Sequence, residues 1–230
     1  MCGRYYLAAK LRDLMEWYGI ESTDIDYVPR YNIAPTQYAP VILGGEKRIL
    51  KLFRWGLVPS WSKDLGVGQK MINARSETLS EKPSFREAFK KRRCIVPASG
   101  FYEWNKAESK RIPYRFYVPN RPILSMAGLW DIWRSETGEN TYSFTIITTE
   151  PNETIKPYHH RMAVLLEPDE ENLWLDENIQ DIKRLSNLLK PYEGERLEKQ
   201  RVSEAVNSVR NDFATLLDPV EESVQLRFDL

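Results

Sequence analysis

A cysteine directly behind the initiator methionine, in Met1-Cys2-Gly3-Arg4, offers chemistry that no internal cysteine has. Cysteine is small, so removal of Met1 is expected, and Cys2 would then carry an α-amine and a thiol on adjacent carbons. Their unperturbed pKa values are about 8 and about 8.5, which leaves both groups a reactive fraction at neutral pH without a large shift. The amine can condense with an aldehyde to an imine, and the thiol can then close a five-membered thiazolidine ring. The competing reading is a frayed chain end whose cysteine does nothing.

Three further stretches hold residues suited to proton transfer. Glu103 lies between Tyr102 and Trp104 in an otherwise apolar run, where burial would raise its pKa and make it a usable general acid. An outward-facing glutamate on a half-buried strand would look the same. Asn73, Arg75 and Glu77 alternate, so on a strand an amide, a cation and an acid share one face. His159 and His160 are the chain's two histidines and precede Arg161. Histidine is the natural proton carrier at neutral pH, although an adjacent surface pair is the commoner outcome. Their spacing is not that of a metal site, and with two distant cysteines no zinc constellation is expected. Arg4, Arg54, Arg75 and Arg161 each stand beside a candidate site, with Trp55, Trp61 and Trp104 near them in sequence. Guanidinium groups pair with phosphates and tryptophan faces accept unstacked bases, while most tryptophans in a domain this size are core.

The elements that must hold these residues read as an α+β chain, strand-rich at its centre. Cys2 to Ala8 reads as a short strand, and Lys10 to Tyr18 as a helix stopped by Gly19. Residues 29–40 carry three prolines and read as an ordered loop or irregular strand, and the Gly44-Gly45 pair turns a hairpin. A helix is expected between Ser80 and the basic run Lys90 to Arg93, then strands at Cys94-Pro97, Gly100-Trp104, Tyr114-Val118, Ile123-Trp133 and Tyr142-Thr148 in antiparallel succession. Ala163 to Leu166 reads as one more strand, followed by helices from Glu170 to Leu189. Residues 194–201 are charged and read as a surface excursion. The expected organisation is a single domain over residues 1–220 and a C-terminal tail over 221–230.

Composition narrows the function classes. With 230 residues and 42% hydrophobic content the chain can bury one sizeable core. Thirty-three basic residues balance thirty-three acidic ones, so any nucleic-acid contact must come from a local patch. Two cysteines, Cys2 and Cys94, do not make a disulfide framework and fit a reducing, cytoplasmic setting. There is no signal peptide pattern and no apolar stretch of about 18 residues, so no membrane span is expected.

Together these stretches resemble the SOS response-associated peptidase (SRAP) family, whose members shield abasic sites in DNA. The matching blocks run in family order: Met1–Tyr5, Arg30–Thr36, Arg54–Trp61, Ile72–Thr78, Cys94–Trp104, Ala127–Trp130 and His159–Met162, with a weaker echo in Val202-Ser203, Val206-Asn207 and Asn211-Asp212. The resemblance implies the SRAP fold, with a barrel-like antiparallel core and flanking helices. It carries the family's catalytic cysteine, asparagine, glutamate and histidine onto Cys2, Asn73, Glu103 and His159, the histidine two residues before Arg161. It departs at Ala163, where the family usually has proline, which would loosen the loop that carries His159.

What the resemblance implies is a sensor of abasic sites that binds single-stranded DNA, or single-strand/double-strand junctions, and forms a thiazolidine DNA–protein crosslink through Cys2. On this reading Arg4, Arg75 and Arg161 neutralise phosphates, and Trp61 or Trp104 stacks on a base. The protein would be a monomer without a cofactor, nucleoid-associated when on damaged DNA, with an autocatalytic peptidase step as one route to loss of Met1. The rivals are an N-terminal-nucleophile amidohydrolase, a general thiol peptidase using Cys2, and a non-catalytic single-strand binder.

Overall fold

The computed structural model describes residues 2–105 and 111–220; the expected tail at 221–230 lies outside the described residues. Strand β1 (Tyr5–Leu7) leads into helix α1 (Leu11–Tyr18). Leu14 and Tyr18 form its buried stripe, the Asp13 carboxylate accepts the Lys10 N–H at its start, and Gly19 ends it at φ +65°. Next come β2 (Arg30–Ile33), β3 (Tyr38–Leu43), β4 (Ile49–Trp55) and the short β5 (Asn73–Arg75). Helix α2 (Pro83–Lys91) starts on a proline and buries Phe85, Ala88 and Phe89, spaced to lie on one face. Burying each phenylalanine contributes about 2 kcal/mol. Strands β6 (Arg93–Ala98), β7 (Gly100–Asn105), β8 (Ile112–Tyr117), β9 (Leu124–Arg134) and β10 (Asn140–Thr149) follow. After β11 (Met162–Ala163) and β12 (Leu165–Leu166) come α3 (Pro168–Leu175), α4 (Ile182–Ser186) and a last strand, β13 (Glu198–Arg201).

Five strands close into a barrel. β10 pairs with β4, β4 with β3, β3 with β6, β6 with β9, and β9 with β10 again. All of these seams are antiparallel except β4–β10, which is parallel and joins Arg54 and Trp55 to Ser143 and Phe144. Gly56, just past the seam, sits at φ +115° with its backbone so close to Gly68 that an added Cβ would lie 2.5 Å from the Gly68 carbonyl oxygen. A second sheet, in the order β13-β8-β7-β1-β2, packs on the barrel, with the Tyr5 ring edge-on to Trp55 at 5.2 Å. Helices α2 and α3 cover β6 and β9, and the buried Trp174 indole donates to the Cys94 carbonyl at 2.9 Å.

β10 outruns β4 and uses its C-terminal end to gather the site. One edge there pairs in parallel with β5, setting Arg75 beside Thr148, and the other pairs with β11, setting Ala163 beside the same residue. The position where proline was expected is therefore held by a ladder.

Several elements differ from the sequence reading. The first strand starts at Tyr5, so Cys2 precedes the ladder, although it is fully buried. Residues 162–166 form two strands because Val164 bridges between neighbours, its N–H to Ile147 and its carbonyl to the Ala127 N–H. Strand β5 ends at Arg75, and Glu77 lies in a 3₁₀ turn, so the three alternating polar residues do not share a strand face. Glu198–Arg201, inside the expected surface excursion, lies at the surface as an edge strand paired with β8.

Candidate active site at the buried Cys2

The Cys2 side chain is 1% exposed, and the Asn73 amide donates to the Cys2 carbonyl at 2.9 Å. The other end of that amide, Oδ1, is buried and accepts no hydrogen bond from the described residues. Burial pushes the Cys2 thiol up to about 12, and the nearby negative charge of Glu103 adds to the rise. The thiol is thus far less acidic in the folded protein than the ordinary value expected from sequence. Glu103 itself is buried on β7, directly across the ladder from Tyr114 on β8. Cys2, Asn73 and Glu103 converge from the chain start, from the strand beside β10, and from the five-stranded sheet.

His159 lies in the turns between β10 and β11. Its Nδ1 accepts the main-chain N–H of Arg161 at 2.9 Å and also lies 3.1 Å from the Arg161 carbonyl oxygen, so the Arg161 backbone holds this edge of the ring. Its ring stacks on that of His160 at 4.3 Å. The neighbouring Tyr158 ring meets Tyr114 at 5.0 Å, and so ties the histidine loop to the strand opposite Glu103.

The expected DNA-contacting residues fall into two groups. Arg75 is exposed and lines an open cleft of about 610 Å³ with Lys156, His160 and Arg161. Trp61 is 63% exposed on the loop after β4. The others have partners inside the protein. Arg161 forms a two-pronged ion pair with Glu77, at 2.7 and 2.8 Å, and also donates to the Thr148 carbonyl. That pairing holds the Glu77 carboxyl below its usual range. Arg4 donates to Asn32 Oδ1 at 2.7 Å and to the Val206 carbonyl at 2.9 Å, with its guanidinium carbon 5.9 Å from the Trp104 ring. The Trp104 indole in turn donates to Asn207 Oδ1 at 2.7 Å.

The sequence reading left Asn32 and Asp212 without a role. Asn32 is fully buried, and its amide donates to the carbonyls of Val206, Ser208 and Asn211. Asp212 pairs with Arg30 and accepts the backbone N–H groups of Tyr31 and Asn32. The signal was present in the polar echo Asn207, Asn211-Asp212, which is the counterpart of the Arg30–Thr36 block.

Comparison with known proteins gives concordant results. The family model described as "SOS response associated peptidase (SRAP)" matches residues 1–209. The chain is 42% identical over 223 residues to "Abasic site processing protein YoqW" of Bacillus subtilis, covering 95% of this chain and 99% of that protein. It is 35% identical over 231 residues to "Abasic site processing protein HMCES" of Gallus gallus, covering 86% of this chain and 68% of that one. Among solved structures, a protein from Bacteroides thetaiotaomicron superposes with a TM-score of 0.87 at 31% identity, covering 96% of this chain and all of its own.

Proposed function

The chain belongs to the SOS response-associated peptidase family, and from that premise we propose that it processes abasic sites in DNA by trapping them covalently on Cys2. The observation that carries this reading is the Asn73 side chain. It grips the Cys2 carbonyl while keeping a buried acceptor that no described residue uses. An α-amine freed by loss of Met1 would be separated from that carbonyl carbon only by Cα, and on this reading it turns to donate to the spare Oδ1, which aims its lone pair.

An abasic deoxyribose interconverts between a closed hemiacetal and an open aldehyde. The His159 imidazole supplies the proton that assists ring opening. The Cys2 amine attacks C1′, and Glu103 takes part in the proton transfers that expel one water and leave an imine. The thiol then adds across the C=N bond, sulfur to C1′ and its proton to nitrogen, with Glu103 as the relay on this reading. The ring product has no iminium to drive β-elimination, so the strand stays whole. Arg75 and Trp61 are the exposed groups suited to a phosphate and an unstacked base. Arg4, Arg161 and Trp104, held by internal partners, shape the floor on which the strand lies. The protein would act without a cofactor, as a monomer in the cytoplasm, on single strands and at single-strand/double-strand junctions.

The test is a single-stranded oligonucleotide carrying one abasic site. A shifted band that survives heat and detergent is expected, with an intact mass showing loss of Met1 and of one water in the adduct. Cys2→Ala abolishes the band. A crosslink that persists in Cys2→Ala overturns the assignment, as does ammonia release from glutamine in place of any crosslink.

A further inference from the structure

Glu103 and His159 must act on the same sugar, yet they are carried by different parts of the fold. Glu103 stands on β7 of the five-stranded sheet, and His159 on the turns that leave the barrel strand β10. Their relative placement therefore depends on whatever joins that loop to that sheet. The far side of the loop is anchored by two side chains, Asn152 donating to the Tyr192 carbonyl at 2.8 Å and Thr154 to the Gly194 carbonyl at 2.9 Å. On the side of the histidine the join is aromatic. The Tyr158 ring is 8% exposed and stands edge-on to both Tyr114, at 5.0 Å and 62°, and Phe116, at 5.1 Å and 75°. The Lys199 ammonium, from β13, caps the same ring at 5.1 Å. Tyr114 is the direct ladder partner of Glu103.

We propose that Tyr158 is a positioning residue for His159: its ring, clasped by Tyr114 and Phe116, sets the distance between the His159 imidazole and the Glu103 carboxylate. This rests on the abasic-site reading above. Edge-to-face pairs favour defined geometries, and two of them at steep angles fix the ring in both tilt and depth. One peptide bond separates that ring's residue from His159, so a smaller apolar side chain would leave the loop attached but let the imidazole drift. Displacement of a catalytic group by about 1 Å can cost about 100-fold in rate. The arrangement also gives β13 a part in the site, because Lys199 reaches the clasp from that edge.

The experiment is the first-order rate of crosslink formation at saturating abasic single strand. Tyr158→Leu is expected to slow it about 10- to 100-fold, with affinity for an undamaged strand unchanged. Tyr158→Phe restores the rate, because the ring and not the hydroxyl makes the contacts. In a His159→Ala background Tyr158→Leu costs nothing further. The inference is overturned if Tyr158→Leu reacts at the wild-type rate, or if its loss adds in full to that of His159→Ala. Should the Tyr158→Leu chain not fold, Tyr114→Leu removes the facing wall of the clasp, and the same two results in that variant overturn the inference. A wild-type protein that makes no crosslink overturns the underlying function, a result distinct from either.

Discussion

Burial, with the negative charge of Glu103 adding to it, pushes the Cys2 thiol well above its ordinary value and so disfavours the thiolate as the group that opens the reaction. An amine beside it, served by the Asn73 oxygen that no described residue uses, does not face the same penalty, since its reactive form is the neutral one that burial favours. The order is therefore amine first, and the thiol adds only once an electrophilic C=N carbon stands next to it. This order predicts a separable intermediate. Cys2→Ser keeps the α-amine and loses the sulfur, so it should form an imine that reverts on denaturation but is captured as a stable secondary amine by borohydride. Wild type should give a stable adduct without borohydride. Denaturing gels with and without the reductant make the comparison, and a Cys2→Ser protein that is never captured would show that the amine does not attack C1′.

At the scale of elements, the segment after β13 acts as a strap across the edge strand β2. The Asp212 carboxylate accepts two β2 backbone N–H groups and pairs with Arg30, so Asp212→Ala strips an edge strand of its acceptor and leaves the half-buried Arg30 guanidinium its hydrogen bond to Gln37 but not this carboxylate. A loss of about 1–3 kcal/mol is expected, roughly 3–10 °C in melting temperature for a chain this long. Calorimetry at neutral pH measures it, and a change under 1 °C would mean that the strap is dispensable. Legibility follows the same division. Elements whose ends are marked by local chemistry could be read from sequence, as with Gly19 closing α1, the hairpin at Gly44-Gly45 and the buried β6. Pairings between distant segments could not. Nothing in the periodicity of residues 140–149 announces a parallel seam with β4 or the gathering of β5 and β11 at its end. Glu198–Arg201 is polar because an edge strand faces water, and charge alone does not separate that from a loop. The site residues stood out by type and by resemblance, but the commitment of Arg161 to Glu77 depends on two elements 84 positions apart.

Across the whole molecule, the closed barrel and the sheet on it bury an unusual set of weak acids. Burial raises the thiols of Cys2 and Cys94 and the phenols of Tyr5, Tyr6, Tyr18 and Tyr102, with Cys2 and Tyr6 both brought to about 12. In the unfolded chain the same groups ionise at about 8.5 for cysteine and about 10 for tyrosine. Between these values and the folded ones the native state binds more protons than the unfolded state, so stability falls as pH rises. The contribution of these groups is fully present below about pH 8.5 and is lost progressively as the thiols and then the phenols of the unfolded chain ionise; for Cys2 and Tyr6 the loss is complete once pH passes their folded values of about 12, and the other four, raised further still, continue beyond that. Melting temperature should therefore stay level in this respect up to about pH 8.5 and drop steeply from about pH 10. Because the four phenols ionise only when the interior opens, their tyrosinate absorbance should rise together with loss of the circular dichroism signal and not ahead of it. Tyrosinate from these positions in a still-folded protein at pH 10.5 would mean that the interior admits water, and a Cys2 in such an interior would be the low-pKa nucleophile that its burial here argues against.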